Sequence, residues 1–136
     1  MVLPDNVKKF LAKPNLAVLA TVGPSGRPQA TPVWFMLDGE EVLINTAKGR
    51  VKLRNPQANR RVSLAIVDRD NPYSYVQIRG TVTGFDEKNG ARDIDRLSLR
   101  YRGEKYNYQG STPADRVSVR IKPTGFSGMG VDRSKR

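Results

Sequence analysis

The sequence contains neither cysteine nor histidine. Without cysteine, the chain has no disulfides, no thiolate catalysis and no cysteine-ligated zinc or iron–sulfur centre. Without histidine, it has no Ser-His-Asp triad, no imidazole general base and few options for binding a transition metal. A metal held by carboxylates alone would be opposed by the positive charge of the chain. We therefore predict no metal site and no catalytic side chain, so that any chemistry must come from a cofactor.

Long apolar runs and acidic residues are also scarce. The longest apolar run, residues 16–22, is far shorter than the ~20 residues of a membrane span. Segment 1–10 is amphipathic and lacks the apolar stretch of a signal peptide, so we expect a cytoplasmic protein. The chain has 24 Lys and Arg against 13 Asp and Glu, a net charge of +11. This excess favours nucleic acid, an acidic membrane surface or a multiply charged small molecule as partner. A generally basic, soluble surface is the plainer interpretation.

The order of turn signals and apolar patterns predicts one domain over residues 1–136, without repeats or linkers. Residues 5–13 are predicted to form a short helix. Strands at 16–22, 28–37 and 41–46 are joined by tight turns and should form an antiparallel meander. The other predicted elements are helical turns at 49–55, strands at 61–68, 75–85 and 117–121, a helix at 89–102 ended by Gly103, an irregular edge at 123–130 and a flexible tail at about 128–136.

These elements indicate an α+β protein, mainly antiparallel β with a few short helices. A sheet of about six strands leaves two exposed edges, and at this length we expect it to close into a small barrel, which removes them. A doubly wound α/β fold needs strands that alternate with long helices, and the sequence predicts only one long helix.

Residues 42–67 carry six basic side chains and no acidic one. At the centre of this stretch, the chain passes from a strand end through Gly49 into a short helix, whose N-terminal amides suit an anion. Arg50 can bind two phosphate oxygens and Lys52 adds a point charge, while Thr46 adds a hydroxyl. These residues form a candidate phosphate clamp. A solvated basic helix face explains the pattern equally well.

Proline and aromatic residues mark two other candidate sites. Pro32 interrupts the strand predicted at 28–37, and a proline there marks an edge, a bulge or the approach of another group. Trp34 follows it, so either a planar cofactor lies on this strand or core aromatics stand beside an edge proline. Tyr73 and Tyr75 lie at a predicted turn, where tyrosines can stack on bases. Aromatic and basic residues do not interleave, however, so nucleic-acid binding has no motif.

A series of short motifs gives a more specific indication by its order and spacing. The motifs are Asn15–Thr21 (NLAVLAT), Gly26–Gln29 (GRPQ), Pro32–Trp34 (PVW), Thr46–Asn55 (TAKGRVKLRN), Arg61–Leu64 (RVSL), Asn71–Val82 (NPYSYVQIRGTV) and Ile94–Ser98 (IDRLS). Together they resemble the pyridoxamine-phosphate-oxidase-like split β-barrel proteins, which also bind FMN. Within that superfamily they are similar to the actinobacterial branch that uses the deazaflavin coenzyme F420. The resemblance covers roughly residues 5–125.

The resemblance implies a homodimer of split barrels with two cofactor sites at the dimer interface. It implies hydride transfer from reduced F420, which carries a phosphodiester and a poly-glutamate tail, to an unidentified small organic substrate. The implied contacts are Gln29, Thr31, Pro32, Val33 and Trp34 with the ring, Thr46, Ala47, Lys48, Gly49, Arg50 and Lys52 with the phosphate, and Tyr73 and Tyr75 from the other subunit. The loop 104–114 and the tail vary within such families, so no substrate is implied.

Two other functions stay open at this point. A protein of the same fold can bind FMN or haem, for storage or sensing. A basic barrel can also bind nucleic acid without catalysis, and its binding would then weaken steeply with salt.

Overall fold

The computed structural model describes residues 1–131. Its elements, in chain order, are α1 (Asp5–Leu11), β1 (Ala17–Val22), β2 (Pro28–Val33), β3 (Met36–Asp38), β4 (Glu41–Ala47), α2 (Val51–Ala58), β5 (Arg61–Asp68), β6 (Asn71–Asp86), α3 (Gly90–Arg102), a 3-10 turn (Pro113–Asp115) and β7 (Arg116–Met129). Among these residues, no helix has both the length and the apolar character needed to cross a membrane.

All strands belong to one sheet in the order β2-β1-β5-β6-β7-β4-β3, and each neighbouring pair is antiparallel. The predicted α+β class, with mainly antiparallel strands, is confirmed. β2 and β3 each pair with one strand only, so the sheet does not close into the complete barrel expected from its length. It is a split barrel with two free edges.

The predicted meander is wrong because the second strand is two strands. The chain leaves the ladder at Trp34 and Phe35, and β2 and β3 lie at opposite edges of the sheet. The backbone of Phe35 is held by α3 instead: its N–H donates to the Tyr101 hydroxyl at 3.2 Å, and its carbonyl accepts from Arg100 Nε at 3.0 Å. The Phe35 side chain is fully buried. Pro32 therefore precedes a true break in the strand.

Two predicted boundaries also move. The helical turns expected at 49–55 are α2, which continues through Pro56 to Ala58. A proline near the end of a helix removes only one hydrogen bond, and here its side chain is buried. β6 begins at Asn71, because Asp68 pairs with Asn71 across a two-residue turn. Tyr73 and Tyr75 therefore lie within a strand and not at its preceding turn.

β7 is longer than predicted. It pairs with β6 from Ser118 to Met129, with two shifts of register, one between Arg79 and Gly80 and one between Val82 and Gly84. The segment expected as an irregular edge at 123–130 is thus mostly regular strand, paired on one side. The strand also includes the first residues of the predicted tail, whose residues 132–136 lie outside the part of the chain that the structure describes.

The helix α3 lies where the sequence predicts it. Gly103 ends it with φ +73°, the left-handed conformation that glycine adopts without strain. Near this end, the Arg100 guanidinium donates to the carbonyl oxygens of Leu11, Ala12 and Lys13 at 2.9 to 3.0 Å. Arg100 thereby satisfies the free carbonyls at the C-terminus of α1. It joins α1, the strand break and α3 around one edge of the sheet.

Candidate functional site

A cavity of about 350 Å³ lies beside the break between β2 and β3. One part of its wall is apolar and aromatic, and the other carries cationic and amide groups. Its lining residues are Leu16, Pro32, Val33, Trp34, Asn45, Lys52, Ile94, Leu97, Tyr106 and Arg116. The fold therefore brings together three of the five predicted ring residues, Pro32, Val33 and Trp34, and one predicted phosphate residue, Lys52.

The aromatic part of the wall is a cluster centred on Trp34. The Trp34 ring stacks on Tyr101, with centroids 5.4 Å apart and planes 12° apart, and it meets Tyr106 edge-on at 6.3 Å. The Tyr101 hydroxyl donates to the carbonyl of Asn15 at 2.7 Å, and burial raises the pKa of this phenol. The backbone N–H of Tyr106 donates to Asp95 Oδ1 at 3.0 Å. Helix α3 thus holds both tyrosines, and with them the orientation of the indole.

The cationic part of the wall begins at the N-terminus of α2. Gly49 has φ +88°, which turns the chain from β4 into the helix, and the first turn contains no acidic residue. Within residues 1–131, neither Arg50 nor Lys52 has a salt bridge. Burial lowers the pKa of Lys52, and the charges of Arg50 and Arg116 lower it further. Cations gathered without a carboxylate suit an anionic ligand.

Arg116 is the second cation that lines the cavity, beside Lys52. Arg50, the N-cap residue of α2, is near both but outside the lining. The Arg116 side chain comes from the start of β7 and is 6% exposed. Nε donates to Asn45 Oδ1 at 2.9 Å, and the guanidinium lies 5.1 Å from the centre of the Tyr106 ring. Burial lowers the pKa of Arg116, and the nearby Arg50 charge adds to this effect.

The other predicted phosphate residues lie outside the cavity lining. Lys48 forms a salt bridge with Glu87 at 2.6 Å, which raises the pKa of its ammonium group. Its charge is therefore already compensated. Thr46 and Ala47 are buried in β4, and Gly49 contributes the turn. Of the predicted clamp, the structure leaves Arg50 and Lys52 as cations without an acidic partner.

Gln29 and Thr31 lie on β2, on the strand that leads to Trp34. Gln29 also lines a second cavity, of about 330 Å³, together with Val51 and Asn55 of α2. Gln29 Oε1 and Thr31 Oγ1 are both buried and have no hydrogen-bond partner within the part of the chain that the structure describes. Buried polar atoms are almost always satisfied by protein, water or ligand. These two atoms are therefore available to a ligand that reaches β2.

Tyr73 and Tyr75 do not line the cavity of their own chain. They project from β6 on the exposed face of the sheet, where Tyr73 is 78% and Tyr75 36% exposed. A second molecule or a ligand lying on that face could contact them, and their predicted role in cofactor binding stays a prediction.

Sequence reasoning missed Asn45, Tyr106 and Arg116. Asn45 carries a weak signal, because it is polar within the otherwise apolar strand 42–47. Tyr106 and Arg116 carry none: the first lies in a loop of polar composition, and the second is one arginine among many. Their importance comes from the packing of β4, α3 and β7, which brings distant parts of the chain together.

The chain is similar to several known proteins. The pyridoxamine 5'-phosphate oxidase family model matches residues 3–130. An F420 reductase structure is 34% identical, covers 92% of this chain and 98% of its own, and has a TM-score of 0.82. A conserved hypothetical protein from Mycobacterium tuberculosis is 23% identical over 95% of this chain and 86% of its own, with a TM-score of 0.72. General Stress Protein 26 from Bacillus anthracis str. Sterne is 14% identical over 94% of each chain, with a TM-score of 0.69. The last two indicate the fold alone.

Proposed function

The chain belongs to the pyridoxamine 5'-phosphate oxidase family, and we propose that it is an oxidoreductase that uses coenzyme F420 to transfer a hydride to a small organic substrate. The observation that carries this proposal is the cavity itself. An aromatic wall built on Trp34 adjoins cations at the N-terminus of α2 that have no acidic partner among residues 1–131. The similarity to an F420 reductase at 34% identity favours F420 over other flavin-type cofactors.

The residues present fit such a cofactor. Arg50 and Lys52 would hold the phosphodiester, since charge-assisted hydrogen bonds to phosphate are among the strongest in proteins. The unpartnered atoms Gln29 Oε1 and Thr31 Oγ1 would bond to polar groups of the ring. Lys48 and Thr46, which the resemblance also implied, would support the turn at Gly49 and not contact the phosphate directly.

When bound, the coenzyme supplies the hydride. The protein's part is to orient the reactants and to keep water away. Trp34 and Tyr106 exclude water from the aromatic part of the cavity, while Lys52 and Arg116 stabilise negative charge at its polar end. The titratable side chains among residues 1–131 that line the cavity are Lys52, Tyr106 and Arg116, so this part of the chain places no carboxylate there to act as a general acid.

A fluorescence titration with F420 and FMN tests the proposal. We expect submicromolar binding of F420, weaker binding of FMN, and weaker binding of both at high salt, because ions screen charge pairs. Lys52→Glu should weaken F420 binding about tenfold or more, since it places a negative charge where the phosphate binds, and each 1.4 kcal/mol corresponds to about a factor of ten.

Lys9→Glu is the matched control, because Lys9 is exposed on α1, outside the cavity lining and away from the outer face of the sheet. It makes the same change in net charge and should leave F420 affinity within about twofold, or ~0.4 kcal/mol. Equal losses in the two variants would mean that the charge of the whole protein, and not this site, attracts the coenzyme. Tighter binding of FMN than of F420 would favour the alternative cofactor.

We also propose that the protein is a homodimer that buries the outer face of β1, β5, β6 and β7. At one end of this face, the directly paired positions are apolar: Val67 faces Tyr75, and Tyr75 faces Met129. Further along β6, the same face carries the polar side chains of Gln77 and Arg79. The three apolar side chains are between 36% and 55% exposed. Such contiguous apolar surface is typical of an interface between subunits. A partner seated there would contact Tyr73 and Tyr75, in agreement with their predicted approach from the other subunit.

Sedimentation velocity tests the dimer. We expect the unchanged protein to sediment as a dimer and Val67→Glu to sediment as a monomer, because the substitution buries an unpaired carboxylate in the interface. Leu99→Glu is the control, since Leu99 is 51% exposed but lies on α3, away from this face. A monomeric unchanged protein, or a dimeric Val67→Glu variant, would contradict the proposed interface.

A further inference from the structure

Arg116 is a buried cation that forms no salt bridge with the residues that the structure describes. Within residues 1–131 no carboxylate lies within 4 Å of it. The Asp115 carboxylate is occupied by Thr112, whose backbone N–H and hydroxyl both donate to its Oδ2. The cations Arg50 and Lys52 stand near Arg116 and repel it. Burial of a charge that no salt bridge compensates lowers the stability of the fold. We therefore look for a function that this charge serves.

The guanidinium is held in one orientation. Arg116 Nε donates to Asn45 Oδ1 at 2.9 Å, and Asn45 Nδ2 donates to Ser118 Oγ at 3.2 Å and to the carbonyl of Gly90 at 2.9 Å. The Ser118 hydroxyl in turn donates to Asp93 Oδ2 at 2.6 Å. All members of this chain of hydrogen bonds are buried. Arg116 is thus fixed by the same network that anchors α3 to β7.

Two nitrogens of the guanidinium remain available. Only Nε has a hydrogen-bond partner among the described residues, and the side chain lines the cavity. A guanidinium with free Nη1 and Nη2 can bind both oxygens of one carboxylate or phosphate group. The adjoining wall of Trp34, Ile94 and Leu97 would contact an apolar or planar body attached to that group.

We propose that Arg116 is an oxyanion-binding residue at the polar end of the cavity, and that the site takes an organic anion with a planar apolar body. The proposal rests on the proposed function only in treating this cavity as the ligand site. The oxyanion can belong either to the organic substrate or to the cofactor. Asn45 is then the positioning residue for Arg116, and Tyr106 covers the guanidinium on one side.

Trp34 provides the measurement, because it is the only tryptophan of the chain and lines the same cavity. We would titrate the protein, without added cofactor, with benzoate and with benzamide, its neutral analogue of similar shape. We expect benzoate to change the Trp34 fluorescence saturably, and benzamide to bind about tenfold more weakly or worse, a difference of ~1.4 kcal/mol. Equal binding of the two compounds would overturn the proposal.

Arg116→Met should abolish the preference for benzoate. Its effect on the melting temperature should be small, because removal of the buried charge offsets the loss of the hydrogen bond to Asn45 Oδ1. A residue that serves only the fold would lower the melting temperature markedly instead. Arg102→Met is the control: Arg102 is exposed, pairs with Glu104 and is outside the cavity lining.

Arg116→Lys is the second variant, for the case that Arg116→Met fails to fold. It keeps the positive charge but cannot form a bidentate contact with an oxyanion, so the preference for benzoate should still fall several-fold. A preference retained in either variant would overturn the proposal.

F420 titration of Arg116→Met identifies the source of the oxyanion. A loss of F420 affinity as large as that of Lys52→Glu assigns the oxyanion to the cofactor. Unchanged F420 affinity with a lost benzoate preference assigns it to the substrate, which would then be an organic acid. If F420 does not bind to the unchanged protein, the proposed function fails, but the comparison of benzoate with benzamide still decides the role of Arg116.

Discussion

Gly90→Ala is expected to destabilise the protein by about 3 kcal/mol, at the upper end for an overpacked position. Gly90 is the first residue of α3. A Cβ atom there would overlap the carbonyl oxygen of Arg116, and would lie 2.5 Å from its carbonyl carbon and 3.0 Å from the nitrogen of Val117. These are backbone atoms of β7, which is paired with β4 on one side and β6 on the other. The strand cannot yield, so the helix must move away.

That movement would also reach the site. The Gly90 carbonyl accepts a hydrogen bond from Asn45, and Asn45 orients Arg116. Urea unfolding of Gly90→Ala gives the loss of stability from the midpoint and the slope. Gly84→Ala is the matched control, because a Cβ atom at Gly84 would meet nothing within 4 Å. We expect Gly84→Ala to change stability by less than about 1 kcal/mol. Similar midpoints for the two variants would mean that the close approach of α3 to β7 does not limit stability.

Local patterns predicted the elements well where both the element and its ends are set by neighbouring residues. The residues of high β-propensity in 61–68 predicted β5, and Gly103 predicted the end of α3. The strand break after Val33 was not predictable, because Trp34 and Phe35 are ordinary strand formers. Arg100 and Tyr101 hold this segment out of the ladder through their hydrogen bonds to the Phe35 backbone. Both residues lie more than sixty positions further along the chain.

The same distinction holds for the candidate site. The acid-free basic stretch led to Lys52, and the proline followed by tryptophan led to Trp34; both line the cavity. Lys48 looked equivalent to Lys52 in the sequence, yet its salt bridge with Glu87 crosses from β4 to the turn before α3. Arg116 could not be chosen from among so many basic residues. Its distinguishing property is burial without a salt bridge to any of residues 1–131, and burial is a property of the folded structure that no local pattern shows.

Asp93 is expected to be the polar residue on which stability depends most. Its side chain is 1% exposed, and it accepts hydrogen bonds from Ser118 at 2.6 Å, Arg96 at 3.0 Å and Arg92 at 3.1 Å. Asp93→Ala would leave the Ser118 hydroxyl buried without its acceptor, and the positive charges of the two arginines without their partner. Breaking a buried ion pair costs about 3–5 kcal/mol.

We expect a loss near the lower end of that range, about 3 kcal/mol, because Arg92 and Arg96 are 58% and 36% exposed and can turn towards water. Glu87→Ala is the control: it removes a carboxylate from an exposed salt bridge with Lys48 and should cost less than about 1 kcal/mol.

The two roles of Asp93 can be separated with Asp93→Asn. This variant keeps an oxygen that accepts from Ser118 but loses the negative charge, so it should unfold at a higher urea concentration than Asp93→Ala. If the network through Ser118 and Asn45 holds Arg116 in place, Asp93→Asn should keep most of the preference for benzoate over benzamide, whereas Asp93→Ala should lose most of it while still folded. An unchanged preference in folded Asp93→Ala would show that Tyr106 and the wall of the cavity orient the guanidinium without this network.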